Sequence, residues 1–213
     1  ISGGVQLSGG GIVISPGGGS PSPSPSVSFG YTSGGFDPTG PAGTSTNRID
    51  KFPFASDGNA TDVGDLTISR YGMAGQSSTA SGYNSGGYGT THVNTIDKFP
   101  FAVDNNATDV GDLTVARRRT AGQSSSVSGY TSGGYGPIYS NTIDKFPFAS
   151  DGNATDVGDL TGTVGQVKQF PAGQSSTVSG YTSGGRVYPS PYYNIIDKFP
   201  FASDSNATDV GDL

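Results

Sequence analysis

"IDKFPFASDGNATDVGDL", residues 49–66, returns almost letter for letter from Ile96, Ile143 and Ile196. Recurrence at spacings of 47, 47 and 53 residues marks a chain built from modules that stack on one another. In an extended chain successive side chains point to opposite sides, so Phe52 and Phe54 share one face while Ile49 and Ala55 share the other. Apolar groups on both faces predict a strand in a sheet covered on both sides. Pro53 has no N–H to give to a ladder, which predicts an edge or a bulge there.

Two further elements accompany each copy. "GYTSGG" or "GYNSGG" stands upstream at Gly30, Gly82, Gly129 and Gly180, and "AGQSS" occurs at Ala74, Ala121 and Ala172. The unit therefore runs AGQSS, GYTSGG, a variable insert, IDKFPFASD, NATDVGDL and a second variable insert. Glycine pairs and the Asp-Gly-Asn-Ala segment supply turns, because these residues accept positive φ or bond their own backbone. Four strands of about five or six residues with short loops fill such a unit. The fold expected is all-β, a propeller or a stack of four-stranded blades, with units of about 27–73, 74–120, 121–171 and 172–213. Residues 1–26, with a Ser-Pro alternation after two apolar patches, read as a linker or arm that carries at most one docked strand.

Repetition has an energetic reason. The apolar side chains of one unit, such as Ile49, Phe52, Phe54, Val63, Leu66 and Ile68, yield roughly 1.5–3 kcal/mol each on burial. Ordering the backbone costs about 1–2 kcal/mol for every residue of the unit, which is far more in total. A unit is thus expected to be stable only beside copies of itself.

Composition excludes several functions. All 17 acidic residues are Asp, and Gly contributes 36 residues, a poor basis for helices. A net charge of −6 argues against a nucleic-acid surface. The single basic run, Arg117-Arg118-Arg119, reads as a solvated loop. With no Cys and one His, neither a thiol nor an ordinary zinc site is available. No apolar run approaches the roughly 20 residues of a membrane span, so membrane insertion is not expected. Every Asp except Asp37 recurs in all four units, which points to structural use; the chain is read as not being an enzyme.

The order GYTSGG, NTIDKFPFAS, NATDVGDLTVAR, AGQSS resembles a kelch-type propeller repeat, with Gly34-Gly35, Gly86-Gly87, Gly133-Gly134 and Gly184-Gly185 as its double glycines. More closely, "NATDVGDLTVAR" followed by "AGQSS" resembles kelch-like repeats of virion structural proteins of tailed phages, notably cyanophages. The resemblance covers about residues 27–213. It departs in lacking the Trp that follows the third strand of a kelch blade, a space that Phe54 and its copies are expected to fill. It implies a non-enzymatic virion protein of a tail fibre, neck or capsid, with other virion proteins, itself or a host surface glycan as partners. A secreted cellular filament or adhesin is the alternative.

Candidate sites follow from residue types. Asp57, Asn59, Thr61 and Asp65 carry hard oxygen donors at the first, third, fifth and ninth positions of a loop, a spacing that suits calcium. The same residues equally suit Asx turns capping a hairpin. Asn59, Asn106, Asn153 and Asn206 each begin an Asn-Ala-Thr glycosylation acceptor. Lys51, Lys98, Lys145 and Lys198 each follow an Asp, and pairing between neighbouring units is expected. The inserts after the double glycines vary from unit to unit, as loops that present a binding surface on a fixed scaffold do. Their most aromatic stretch holds Tyr139, Arg186, Tyr188, Tyr192 and Tyr193, suited to stacking on sugars or anchoring a protein, and equally to packing on a neighbouring unit.

Overall fold

The computed structural model describes residues 11–14, 29–37, 44–137, 139–162, 169–186 and 192–213. These residues form four four-stranded antiparallel sheets, each strand pairing with the next in sequence, and no helix. The first sheet comprises β1 (Gly11–Ile14), β2 (Phe29–Asp37), β3 (Thr44–Pro53) and β4 (Thr61–Asp65). In the second are β5 (Ala74–Ser77), β6 (Ser81–Ser85), β7 (Thr95–Pro100) and β8 (Thr108–Asp112). The third holds β9 (Ala121–Ser124), β10 (Ser128–Ser132), β11 (Thr142–Pro147) and β12 (Thr155–Asp159). The fourth holds β13 (Ala172–Ser175), β14 (Ser179–Ser183), β15 (Ile195–Pro200) and β16 (Thr208–Asp212). The second, third and fourth sheets each lie within one repeat, whereas the first reaches outside residues 27–73. The first sheet takes its inner strand from Gly11–Ile14, within the glycine- and proline-rich segment.

Consecutive sheets lie face to face, and the core lies between them. Tyr31, Ile49 and Leu66 of the first sheet pack on Phe99 and Ala107 of the second. Tyr83, Ile96 and Leu113 meet Phe146 and Ala154 in the same way, and Tyr130, Ile143 and Leu160 meet Phe199 and Ala207. Cross-strand register explains the division of labour. Tyr31 lies opposite Lys51 and Ser33 opposite Ile49, which places these four side chains on the face turned to the next sheet. Asp50 and Phe52 occupy the other face. The Phe52 ring lies over Gly30, where an added Cβ would meet it at 2.3 Å, and Gly82, Gly129 and Gly180 stand in the same relation to Phe99, Phe146 and Phe199. The second phenylalanine of each motif continues past the strand: Phe101, Phe148 and Phe201 stack on Tyr31, Tyr83 and Tyr130 at 5.1, 4.9 and 4.9 Å. Ala55 and Ile68, expected in the core, are exposed instead, because Ala55 lies in a bend beyond β3 and Ile68 in the connection after β4.

Pro100 shows why proline is tolerated. The next residue, Phe101, gives its N–H to Ala80 O on the β6 side (2.9 Å), so the proline nitrogen points to the other side. There β8 pairs only as far as Lys98. The open position was legible in the motif.

Polar bonds fasten one sheet to the next. The Ala107 N–H donates to Asp65 O (2.8 Å), and the Asp65 N–H donates to Asn106 Oδ1 (3.0 Å). Ala154 and Asn153 clasp Asp112, and Ala207 and Asn206 clasp Asp159, with the same distances. Lys51, Lys98 and Lys145 pair with Asp104, Asp151 and Asp204 of the following sheet at 2.8, 2.9 and 2.9 Å, as the sequence suggested. The inner strands are joined side by side: the Ser77 N–H donates to Ser124 Oγ (3.0 Å), and the Ser124 N–H to Ser175 Oγ (2.9 Å). Gln76 Nε2 donates to Tyr130 O and Thr131 Oγ1, both at 2.9 Å, and Gln123 repeats the pattern on Tyr181 and Thr182. "AGQSS" is therefore the sequence of a packed inner strand whose polar side chains bond the neighbouring sheet.

The basic run is not a solvated loop. Arg117 is fully buried against Asp144 (3.0 Å), as Arg70 is against Asp97 (2.9 Å). Both arginines lie in the connection between two sheets and reach into the second of them. Burial lowers the pKa of each guanidinium, and the facing aspartate opposes that shift. Thr67 and Thr114 complete the sites by donating both N–H and hydroxyl to Asp97 and Asp144.

Candidate functional site

In the second, third and fourth sheets the double glycine turns the chain out of the second strand, whereas Gly34-Gly35 lie inside β2 at a shift of register with β3. Gly86 has φ +68° and Gly87 φ +114°, and a Cβ on Gly86 would lie 2.5 Å from Arg117 O. Glycine is required for both reasons. The residue after the pair then lands beside the connection from the preceding sheet. Tyr88 bridges to Tyr71 and His92, Tyr135 to Arg118 and Tyr139, and Arg186 to Gln169 and Tyr192. Three side chains per unit are thereby brought to one end of the sheets.

These triplets join into a row. Phe36 packs on Tyr71 (5.2 Å), Tyr71 on Tyr88 (5.7 Å), Tyr88 on His92 (5.1 Å), His92 on Tyr135 (5.3 Å) and Tyr135 on Tyr139 (5.2 Å). The Arg118 guanidinium lies 4.3 Å from the Tyr88 ring centre and donates to the Tyr71 hydroxyl (2.8 Å). Further along, Arg119 lies over Phe170 (4.4 Å) and bonds Gln169 Oε1, while Arg186 approaches the same ring at 5.7 Å. Gln169, Phe170, Gly185, Arg186 and Tyr192 line a shallow depression at that end of the row. Tyr192 is 82% exposed. Arg119 and Phe170 both adopt positive φ, 59° and 57°, at the position that Gly72 occupies in the connection from the first sheet to the second. Such strain costs about 1–3 kcal/mol and persists only where the surroundings enforce it.

Electrostatics sharpen the picture. Arg118, Arg119 and Arg186 gather on this rim of a chain whose net charge is −6. The pKa of His92 is lowered, first by desolvation and then by Arg118 and Arg119. The imidazole therefore resists adding another positive charge to the row.

Of the candidate binding residues, Tyr139, Arg186 and Tyr192 lie in this row, and Tyr193 follows with its N–H bonded to Gly185 O (2.9 Å). Tyr188 lies outside the described residues. Tyr71, Tyr88, His92, Arg118, Arg119, Tyr135 and Phe170 were missed as members of a surface. The signal was available in the repeat: Tyr88, Tyr135 and Arg186 each directly follow a double glycine, and Tyr71, Arg118 and Gln169 each stand three residues before an AGQSS motif.

The calcium candidates are placed otherwise. Thr61 and Asp65 are the two ends of β4, Asp57 and Asn59 precede it, and Thr61 Oγ1 donates to Lys51 O (3.4 Å). In later units the counterparts of Asp57 hold lysines and those of Asn59 hold a peptide N–H. Among the described residues no three acidic or imidazole side chains converge to hold a metal ion. Asn59, Asn106, Asn153 and Asn206 are all exposed, and the last three use their Oδ1 in the clasp between sheets. No protein-family model matches the sequence, and no curated protein is significantly similar to it.

Proposed function

We propose that the protein is a non-enzymatic attachment module whose aromatic and arginine rim binds an acidic glycan, displayed on a phage virion as part of a tail fibre, neck or capsid decoration. The rim of Phe170, Arg186 and Tyr192 carries the proposal. Flat rings stack on the apolar faces of sugars, and a guanidinium holds a carboxylate or sulfate by paired N–H bonds. The remainder of each unit is committed to holding its neighbour, which leaves the variable inserts as the part free to specify a target. The propeller reading belongs here as well: inner strands set side by side, with sheets fanning outward from them, suit a blade arrangement of the kelch kind. The virion placement rests on the repeat's resemblance alone.

A glycan array probed with the whole chain tests the binding. Retention on uronate- or sulfate-bearing oligosaccharides is expected, with about a ten-fold or greater loss in R186A and Y192A. Retention on no acidic glycan would remove the reading. Immunogold against the repeated motif tests the placement. Gold on phage particles supports it, and gold on cellular filaments would favour a secreted adhesin with the same rim.

A further inference from the structure

The three internal interfaces define what the two outermost faces can hold. On the inner side of every interface stand a tyrosine, an isoleucine, a lysine and a leucine; on the outer side stand two phenylalanines, an aspartate, an asparagine and an alanine. Both sets occur once more, uncovered. The fourth sheet turns Tyr181, Ile196, Lys198 and Leu213 toward the side that its counterparts present to the next sheet. The first sheet turns Phe52, Phe54, Asp57, Asn59 and Ala60 outward, with Phe54 49% exposed where Phe101, Phe148 and Phe201 pack on tyrosines. Lys198 and Asp57 form no ion pair among the described residues, though each is the counterpart of a group that does.

A second observation concerns another aspartate of the same face, Asp50 and its counterparts Asp97 and Asp144. In the second and third sheets, Asp97 and Asp144 are neutralised by Arg70 and Arg117, which arrive on the connection from the preceding sheet. A neighbour from another molecule brings no such connection. The first sheet supplies its own cation: Arg48 pairs with Asp50 at 2.5 Å from the same strand, at a position that is Thr95, Thr142 and Ile195 in the later sheets. Asp50 is thus paired without a connecting segment, and Asp57 is left for the lysine of a neighbour.

We propose that the fourth sheet of one molecule binds the first sheet of a second copy, head to tail, through a fourth instance of the internal interface. Phe54 of one copy stacks on Tyr181 of the other, Lys198 pairs with Asp57, and Asn59 and Ala60 clasp the Asp212 peptide. The two surfaces differ from each other, so the contact is heterologous and leads to rings or open chains.

Sedimentation of the whole chain over a range of concentrations tests this. The expected result is concentration-dependent association. F54D, which alters only the first sheet's face, and Y181D, which alters only the fourth's, each weaken association about ten-fold or more. Mixed together they form a one-to-one dimer that grows no further, since one good face of each kind remains. A monomer at every concentration overturns the proposal, as does a mixture that stays monomeric or a single variant that still dimerises with itself. Should either variant fail to fold, D57K and K198D replace them. Each alone then meets like charge across the contact, and only the mixture regains association; a mixture no better than its components also overturns the proposal.

Discussion

Arg117 and Asp144 are each fully buried, so neither side chain can turn to water if the other is removed. Asp144→Ala strands a guanidinium whose remaining partners are Ser140 Oγ and the carbonyls of Thr131 and Thr142. A loss of about 3–5 kcal/mol is expected by urea unfolding. Adding Arg117→Met to that variant removes the stranded charge and should recover part of the loss, so the two changes will be strongly non-additive. Additive losses would mean that the pair does not act as a unit. His92 offers a second test, because it is the only histidine and its proton resonances are unambiguous. Its folded pKa should titrate below the ordinary 6.5 and rise toward it in R118Q. The sign follows from linkage. Below about pH 6.5 the unfolded chain binds the proton more readily than the folded one, so this contribution is present above that pH and is lost as pH falls through the folded pKa. A folded pKa at or above 6.5 would contradict the placement of His92 beside two arginines. Neither feature was legible from single residues. A run of three arginines in one unit reads as a solvated loop until the connection is seen to lie against the next sheet, with one arginine turned inward and the next laid across tyrosine rings.

At the scale of a strand or turn, much more could be read in advance. Alternation in IDKFPF assigned Ile49 and Phe52 to opposite faces, the proline fell where the ladder is open, and three of the four glycine pairs marked turns, the first lying instead within β2. Each of these is decided by backbone geometry within a few residues, which is why sequence suffices. The partner of a strand face is a different matter. Asn-Ala-Thr looks like a glycosylation acceptor or a turn, and only the neighbouring sheet reveals the Asn-Ala pair as a clasp on a peptide of the preceding unit. The rim was half visible for a similar reason: its tyrosines recur at fixed places in the repeat, but their assembly depends on the connection from one sheet lying against the loop of the next. Gly86 gives the sharpest test at this scale. Gly86→Ala introduces a Cβ 2.5 Å from Arg117 O in a residue held at positive φ. Left-handed backbone alone costs about 1–2 kcal/mol, and the clash falls on backbone that cannot rotate away. Thermal unfolding should therefore show a loss larger than that, whereas Gly58→Ala, where no atom lies within 4 Å of the added carbon, should be close to neutral. Equal effects would mean that the turn does not constrain the fold.

Across the whole molecule, stability is a matter of neighbours. The second and third sheets have both faces covered, while the first and fourth each leave one face to solvent. In such a series each sheet is held by its own interactions plus those with adjacent sheets, so the covered pair should open last. Hydrogen exchange on the chain, diluted until copies are separate, reads this directly. The amides of β6, β7, β10 and β11 are expected to exchange through the rarest openings, and those of β14 and β15 through more frequent ones. Phe146→Ala changes the order in a specific way. It removes the ring that lies between Tyr83 and Gly129, at a cost of about 3–5 kcal/mol, and weakens the one interface flanked by others on both sides. Protection should then fall in both middle sheets together, and the chain should divide into two halves that open separately. Phe199→Ala, made at the last interface, should release the fourth sheet and leave the second protected. If both variants instead lowered protection evenly from β2 to β16, the sheets would form one cooperative block and the four-fold repetition would not divide the folding energy between neighbours.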